Sequence, residues 1–140
     1  MNVDSFKELQ ANLEKNIEEI KKTLKKSNLL NSPDRTKIIE RLTYLFYSLT
    51  KTLVDIGHSI VLENDLRDPL NRADIFISLA EKDIVMSSAV PGAKKAVLAL
   101  PKMQTCQHSE ILEIISESIN DLHKMLDSFA VYFRLKDTKI

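Results

Sequence analysis

The side chains that invite chemistry in this 140-residue chain are few, and their spacing is the first thing to test. Asp55 and His58 stand three apart, one helical turn, which is the nearest approach to the Glu-x-x-His units that hold metal in di-iron bundles. No Glu-x-x-His occurs anywhere, and polar packing or an interface contact is the simpler reading of a single pair. His123, flanked by Asp121, Lys124 and Asp127, reads as a solvated helix residue. Cys106 and His108 are two apart and superficially suggest a thiolate–imidazole pair. A zinc ion would want further Cys or His ligands, and only His58 and His123 remain. A lone Cys of this kind reads as a small hydrophobe. Gly57 and Gly92 are the only glycines, too few for a phosphate-binding Gly-rich loop. Lys94, Lys95 and Lys102, around Pro101, could meet phosphates but read as a solvated face. Tyr44 and Tyr47 could stack on bases, yet their helical spacing suits packing. No metal and no cofactor are expected from these residues.

The elements that must position them are helices. Phe6, Leu9, Leu13, Ile17, Ile20 and Leu24 recur every three or four residues, one face of a first helix. Ser5 with Glu8 forms a capping-box start, and Glu18 precedes Lys22 in the favoured orientation. After a short connection, Ser32 and Pro33 offer an N-cap and a first helical residue. The helix predicted from there reaches about Glu63. Its main stripe is Ile38, Leu42, Leu45, Phe46, Leu49, Leu53, Ile56 and Ile60. Tyr47, Val54, His58 and Val61 fall nearly opposite. A helix apolar on two sides is surrounded: it is either the central helix or one that also packs on a second subunit. Gly57 inside it costs about 1 kcal/mol relative to Ala, which close packing would explain. Asn71 caps a shorter helix bearing Ile75, Phe76, Leu79 and Ala80. Ala89 to about Leu100 is another, tolerating Pro91 near its start, and Pro101 ends or kinks it. Residues 102–108 read as a loop, with Ser109 as the cap of a last helix carrying Ile111, Ile115, Ile119, Leu122, Leu126, Phe129 and Phe133. Short links between long amphipathic helices favour antiparallel neighbours. The expected fold is all-α: an up-and-down, antiparallel four- or five-helix bundle, with 1–140 as a single domain.

Composition agrees. Two glycines and four prolines leave little material for the turns of an all-β fold, and 44% hydrophobic residues suffice for a core. Twenty basic residues balance twenty acidic ones, so net charge points to neither nucleic acid nor a membrane surface. A single cysteine fits a reducing compartment. No apolar run approaches the roughly 18–20 residues of a membrane span, and Met1-Asn2-Val3-Asp4 lacks the character of a signal peptide. A cytoplasmic protein with no membrane contact is expected.

The order of features resembles the HepT-like proteins of the HEPN superfamily. The long second helix, with Arg41-Leu42 early and Asp55-Ile56-Gly57-His58-Ser59-Ile60 later, looks like the family's second helix. Leu66-Arg67-Asp68-Pro69-Leu70-Asn71-Arg72-Ala73-Asp74-Ile75-Phe76 looks like its turn into the third helix, followed there by a Leu, here Leu79. Glu81-Lys82-Asp83-Ile84-Val85 is similar to the turn beyond, and Ile111, Leu112, Ile114 and Ile115 occupy the final helix. The resemblance spans most of the chain through order and spacing and not through one diagnostic motif.

That resemblance implies a helical-bundle homodimer, often encoded beside a minimal nucleotidyltransferase, whose active members are metal-independent ribonucleases. They carry an Arg and, about four to six residues on, a His that can act as acid or base at the ribose 2′-OH, commonly with a Tyr two beyond. The Arg would hold the scissile phosphate, and the partner nucleotidyltransferase modifies the Tyr. Counting back from Ile111 and Ile115 places that motif between about Val97 and Cys106, where no Arg and no His stand. Lys102 followed six residues later by His108 imitates it. A lysine, however, binds phosphate as a point charge without the bidentate fork, and His108-Ser109-Glu110 offers no phenol. The expectation is a catalytically degenerate member, a homodimeric binding or structural module linked to a toxin–antitoxin or nucleotidyltransferase system. The alternative is weak ribonuclease activity through Lys102 and His108, and RNA is a weakly supported partner.

Overall fold

The computed structural model describes residues 1–26 and 28–138. Five α-helices account for most of them: α1 (Val3–Leu24), α2 (Arg35–Glu63), α3 (Ile75–Ala80), α4 (Val90–Ala99) and α5 (His108–Thr138). Short 3-10 turns lie at Leu29–Asn31, Arg72–Asp74, Ser87–Ala89 and Leu100–Gln104, and no strand occurs among the described residues.

Long-range contacts give the directions. Arg41 near the start of α2 bonds Glu19 near the end of α1, while the Met1 amino group donates to Ser59 Oγ at 3.1 Å. The two helices are therefore antiparallel. Lys136 of α5 donates to the Met1 carbonyl at 3.2 Å, so α5 is antiparallel to α1 as well. α2 and α5 consequently run the same way, because the chain between them returns through α4 to the level where α2 starts, with His108 and Ile111 facing Thr36 and Ile39. Met86, just before α4, donates its amide to Ser128 Oγ, and Lys95 pairs with Glu117, so α4 descends antiparallel to α5. The result is the expected up-and-down bundle, with α4 as its third leg and the short α3 packed beside α4, where Asp74 meets Lys94 at 2.8 Å.

The core follows the predicted stripes, except that α2 buries Ile39 and leaves the expected Ile38 half-buried. Phe6, Leu13, Ile17 and Ile20 of α1 meet Leu42, Leu45, Phe46, Leu49, Leu53, Ile56 and Ile60 of α2, with Ile111, Ile115, Ile119, Leu122, Met125, Leu126, Phe129 and Phe133 of α5. Phe6 and Phe133 stack with centroids 4.3 Å apart, closing the end where α1 begins and α5 finishes. The second face of α2 divides. Val54 and Val61 are buried inside the chain, so α3 and α4 supply the surround that the periodicity demanded. Tyr44 and Tyr47 instead remain 63% and 47% exposed, and His58 is exposed too. At Gly57 an added Cβ would lie 3.1 Å from Leu79 Cδ1, so the absent side chain lets α3 approach α2.

Helix ends differ from expectation where local side chains compete. Asn2, not Ser5, caps α1, its Oδ1 accepting the Ser5 amide at 2.7 Å. α2 begins at Arg35 because Ser32 Oγ accepts the Asp34 amide, making a turn of Ser32-Pro33-Asp34 before the helix. Asn71 does cap its helix, through the Ala73 amide. Pro101 converts the end of α4 into a 3-10 turn where a loop was expected, and α5 starts at His108, so Ser109 lies inside its first turn and not at its cap.

Candidate functional site

The early part of α2 and the α4–α5 connection do not close on each other. Between them lies a groove of about 490 Å³. Its floor is apolar, formed by Ile39, Leu100, Met103 and Ile111; Thr36, Glu40, Thr43 and Gln104 supply polar groups, and Tyr44 and Tyr47 form an aromatic wall. Two further depressions adjoin it. One shares Tyr47, Leu100 and Gln104 with the groove and adds Lys51, Val54, Arg72, Val97 and Pro101. The other shares Cys106 and His108 and adds Leu30, Asn31, Arg35, Gln107 and Ser109.

The local sequence explains the opening. Tyr44 and Tyr47 occupy helix positions that turn away from the main stripe, so they reach the surface instead of the core. Across from them, Pro101 tightens the backbone into a 3-10 turn, and only Met103 of that turn is buried. The chain then re-enters a helix at His108, which leaves that half-buried imidazole at the groove's end.

The predicted residues are distributed unevenly. His108 lines the groove, but Lys102 does not; it stands exposed on the 3-10 turn, its carbonyl accepting from the Thr105 amide and hydroxyl. The cation sharing a depression with His108 is Arg35, whose guanidinium donates to the Leu30 carbonyl at 3.1 Å. Cys106 lies beside His108, yet partial burial and the Glu110 carboxylate push its thiol above the usual range. It is therefore protonated at neutral pH and a poor nucleophile.

Arg41, Arg72, His58, Lys94 and Lys95 are held by partners elsewhere. Arg41 makes a two-bonded pair with Glu19, at 2.9 and 3.1 Å, and lies 5.9 Å from the centroid of Tyr44. Arg72 reaches the adjoining depression but pairs with Asp55 Oδ1 at 3.0 Å. His58 faces Asp68 at 3.6 Å, so Asp55 and His58 are engaged separately and form no ligand pair. Lys94 pairs with Asp74 at 2.8 Å and Lys95 with Glu117, so two of the three lysines of the basic stretch are held in ion pairs between elements.

Sequence reading missed the surroundings of His123. This residue is half-buried, with Nδ1 2.8 Å from Lys21 Nζ and Nε2 3.3 Å from Glu14 Oε2 and 3.9 Å from Asp127 Oδ1. Its i,i+4 relation to Asp127 was visible; the contribution of α1 was not, because it depends on which faces of α1 and α5 meet.

No protein-family profile and no curated protein matches this chain. Solved structures do. The crystal structure of a mutant toxin–antitoxin MntA-HpeT matches with a TM-score of 0.78 and 16% identity, over 91% of this chain and 98% of that one. The toxin–antitoxin with AMP-PNP matches at 0.77, with 15% identity over 91% and 98% of the two chains. YutE from Bacillus subtilis, a cytosolic protein of unknown function, matches at 0.67, with 16% identity over 90% and 91%. At such identities the likeness is one of fold, and the chain has the HepT-like helical-bundle fold.

Proposed function

We propose that this chain is a catalytically degenerate HepT-like protein, a homodimeric binding or structural module that acts beside a minimal nucleotidyltransferase. The observation that carries the reading is the composition of the α4–α5 connection. Val97 to Cys106 bears neither Arg nor His, and its one cation, Lys102, lies outside the groove that His108 lines. General acid–base catalysis needs the proton-transfer group and the phosphate-holding cation to converge on one phosphate. The fold shared with the MntA-HpeT toxin–antitoxin supports the nucleotidyltransferase association. Tyr44 and Tyr47, exposed along the groove, support a second copy packing on this face.

Incubation with tRNA and total RNA tests degeneracy. Wild type and His108→Ala are expected to leave RNA equally intact; cleavage by wild type that His108→Ala abolishes would overturn the reading. Light scattering after size exclusion tests the dimer, and a monomer at every concentration sinks that part. Co-purification with a small nucleotidyltransferase encoded nearby tests the association, and its absence in a co-expression pull-down counts against it.

A second reading, weak metal-independent ribonuclease activity, has one observation in its favour: His108 does reach the groove. Lys102 was its expected companion, whereas Arg35 is the cation that shares a depression with His108. Loss of RNA cleavage in Arg35→Ala but not Lys102→Ala would favour this reading with a changed pair.

A further inference from the structure

We propose that Glu14, His123 and Asp127 form a divalent-cation site, suited to Zn²⁺, that clips α1 to α5. One ligand atom from each of Glu14, His123 and Asp127 lies within 4.8 Å of the other two. His123 Nε2 stands 3.3 Å from Glu14 Oε2 and 3.9 Å from Asp127 Oδ1. Tetrahedral zinc with bonds of about 2.0–2.1 Å sets its ligand atoms roughly 3.3–3.4 Å apart, so small side-chain adjustments bring all three into range. His123 and Asp127 are one helical turn apart on α5, which presents both to one ion; Glu14 comes from the facing helix. Two carboxylates and a neutral imidazole balance the charge of a divalent ion and leave a fourth position for water. None of the three lines the groove, so the site is separate from the one described above.

Lys21 decides the competition. Its ammonium lies 2.8 Å from His123 Nδ1, which assigns the imidazole proton to Nε2, donating toward Glu14. A metal at Nε2 takes that proton's place. The proton then resides on Nδ1, and the Lys21 ammonium, no longer offered an acceptor, swings away. Two arrangements of one cluster follow: a Lys21–His123–Glu14 hydrogen-bond relay without the ion, and a Glu14–His123–Asp127 triad with it. Lys21 thus opposes binding, whereas Asp127, peripheral to the relay, serves chiefly as a ligand.

The test is calorimetric titration of the full chain with Zn²⁺, together with thermal melting with and without one equivalent. Wild type is expected to bind one ion and melt higher. Asp127→Asn, which leaves the relay and the fold in place, should weaken binding at least about tenfold, as should His123→Asn. His108→Asn should leave it unchanged, which separates this site from Cys106 and His108. Lys21→Gln should strengthen binding, an effect that a purely structural relay would not produce. Absence of binding by wild type, or wild-type affinity in both Asp127→Asn and His123→Asn, overturns the site. Unchanged or weaker affinity in Lys21→Gln overturns the competition.

Discussion

Gly92 shows how much one missing carbon matters. A Cβ built there would lie 1.9 Å from Asp121 Oδ2 and 2.7 Å from Asp121 Cβ, so rotating the carboxylate away does not relieve the overlap. α4 and α5 touch where Asp121 faces the first turn of α4, and a carboxylate near a helix N-terminus is favourable. Gly92→Ala should therefore destabilise the protein by about 1–3 kcal/mol through separation of the two helices. Urea denaturation measures it, and a change under about 0.5 kcal/mol would contradict the contact. Asp83 presents the converse. It adopts φ 57°, the left-handed region, directly after α3, while Ile84 donates back to the Leu79 carbonyl at 3.0 Å. Glycine adopts that conformation without steric penalty, so Asp83→Gly should be neutral or stabilising by up to about 1 kcal/mol. Marked destabilisation by the same assay would show that the Asp side chain holds the turn.

At the scale of elements, exposed ion pairs join helices whose apolar faces are already packed. Glu19 is held below the ordinary carboxylate value first by its hydrogen bond to Arg41, Glu63 by its bond to Lys136, and Glu117 by its bond to Lys95. These pairs link α1 to α2, α2 to α5 and α4 to α5. A carboxyl whose pKa is lower folded than unfolded contributes stability that is complete above the unfolded value and disappears as pH falls through the folded one. The melting temperature should hold from pH 7 to 5 and fall below about pH 4.5, with 0.5 M salt blunting these exposed contributions. A Glu19→Gln, Glu63→Gln, Glu117→Gln variant should show a shallower acid decline. An identical decline in the variant would assign acid sensitivity to other groups.

At the scale of the molecule, the five helices share one core, so unfolding should be a single transition with coincident far- and near-UV signals. Separate transitions would show that α3 and α4 fold as a unit apart. The groove edge bears on assembly. In the dimer proposed above, Tyr44→Lys with Tyr47→Lys places two cations on the packing face and should convert the dimer to a monomer without altering helix content. Light scattering and circular dichroism read the two effects, and a persistent dimer would move the interface elsewhere.

The residues determined by themselves which faces are apolar, because burial of a stripe every three to four residues is dictated by helix geometry. They also determined that no Arg or His stands between Val97 and Cys106. Cap choices were less legible: Asn2 over Ser5, or the turn at Ser32-Pro33-Asp34, turned on which side chain reached a backbone amide first. The tertiary structure alone decided what each charged group faces. It set Lys95 against Glu117 and Arg72 against Asp55, and it placed His108 in a depression shared with Arg35 and not with Lys102. It also brought Glu14 and Lys21 of α1 to His123. Periodicity specifies a helix's buried side but not its neighbour's rotation or height. Chemistry between helices depends on those two quantities, and so the stripes were readable while the side-chain clusters between them were not.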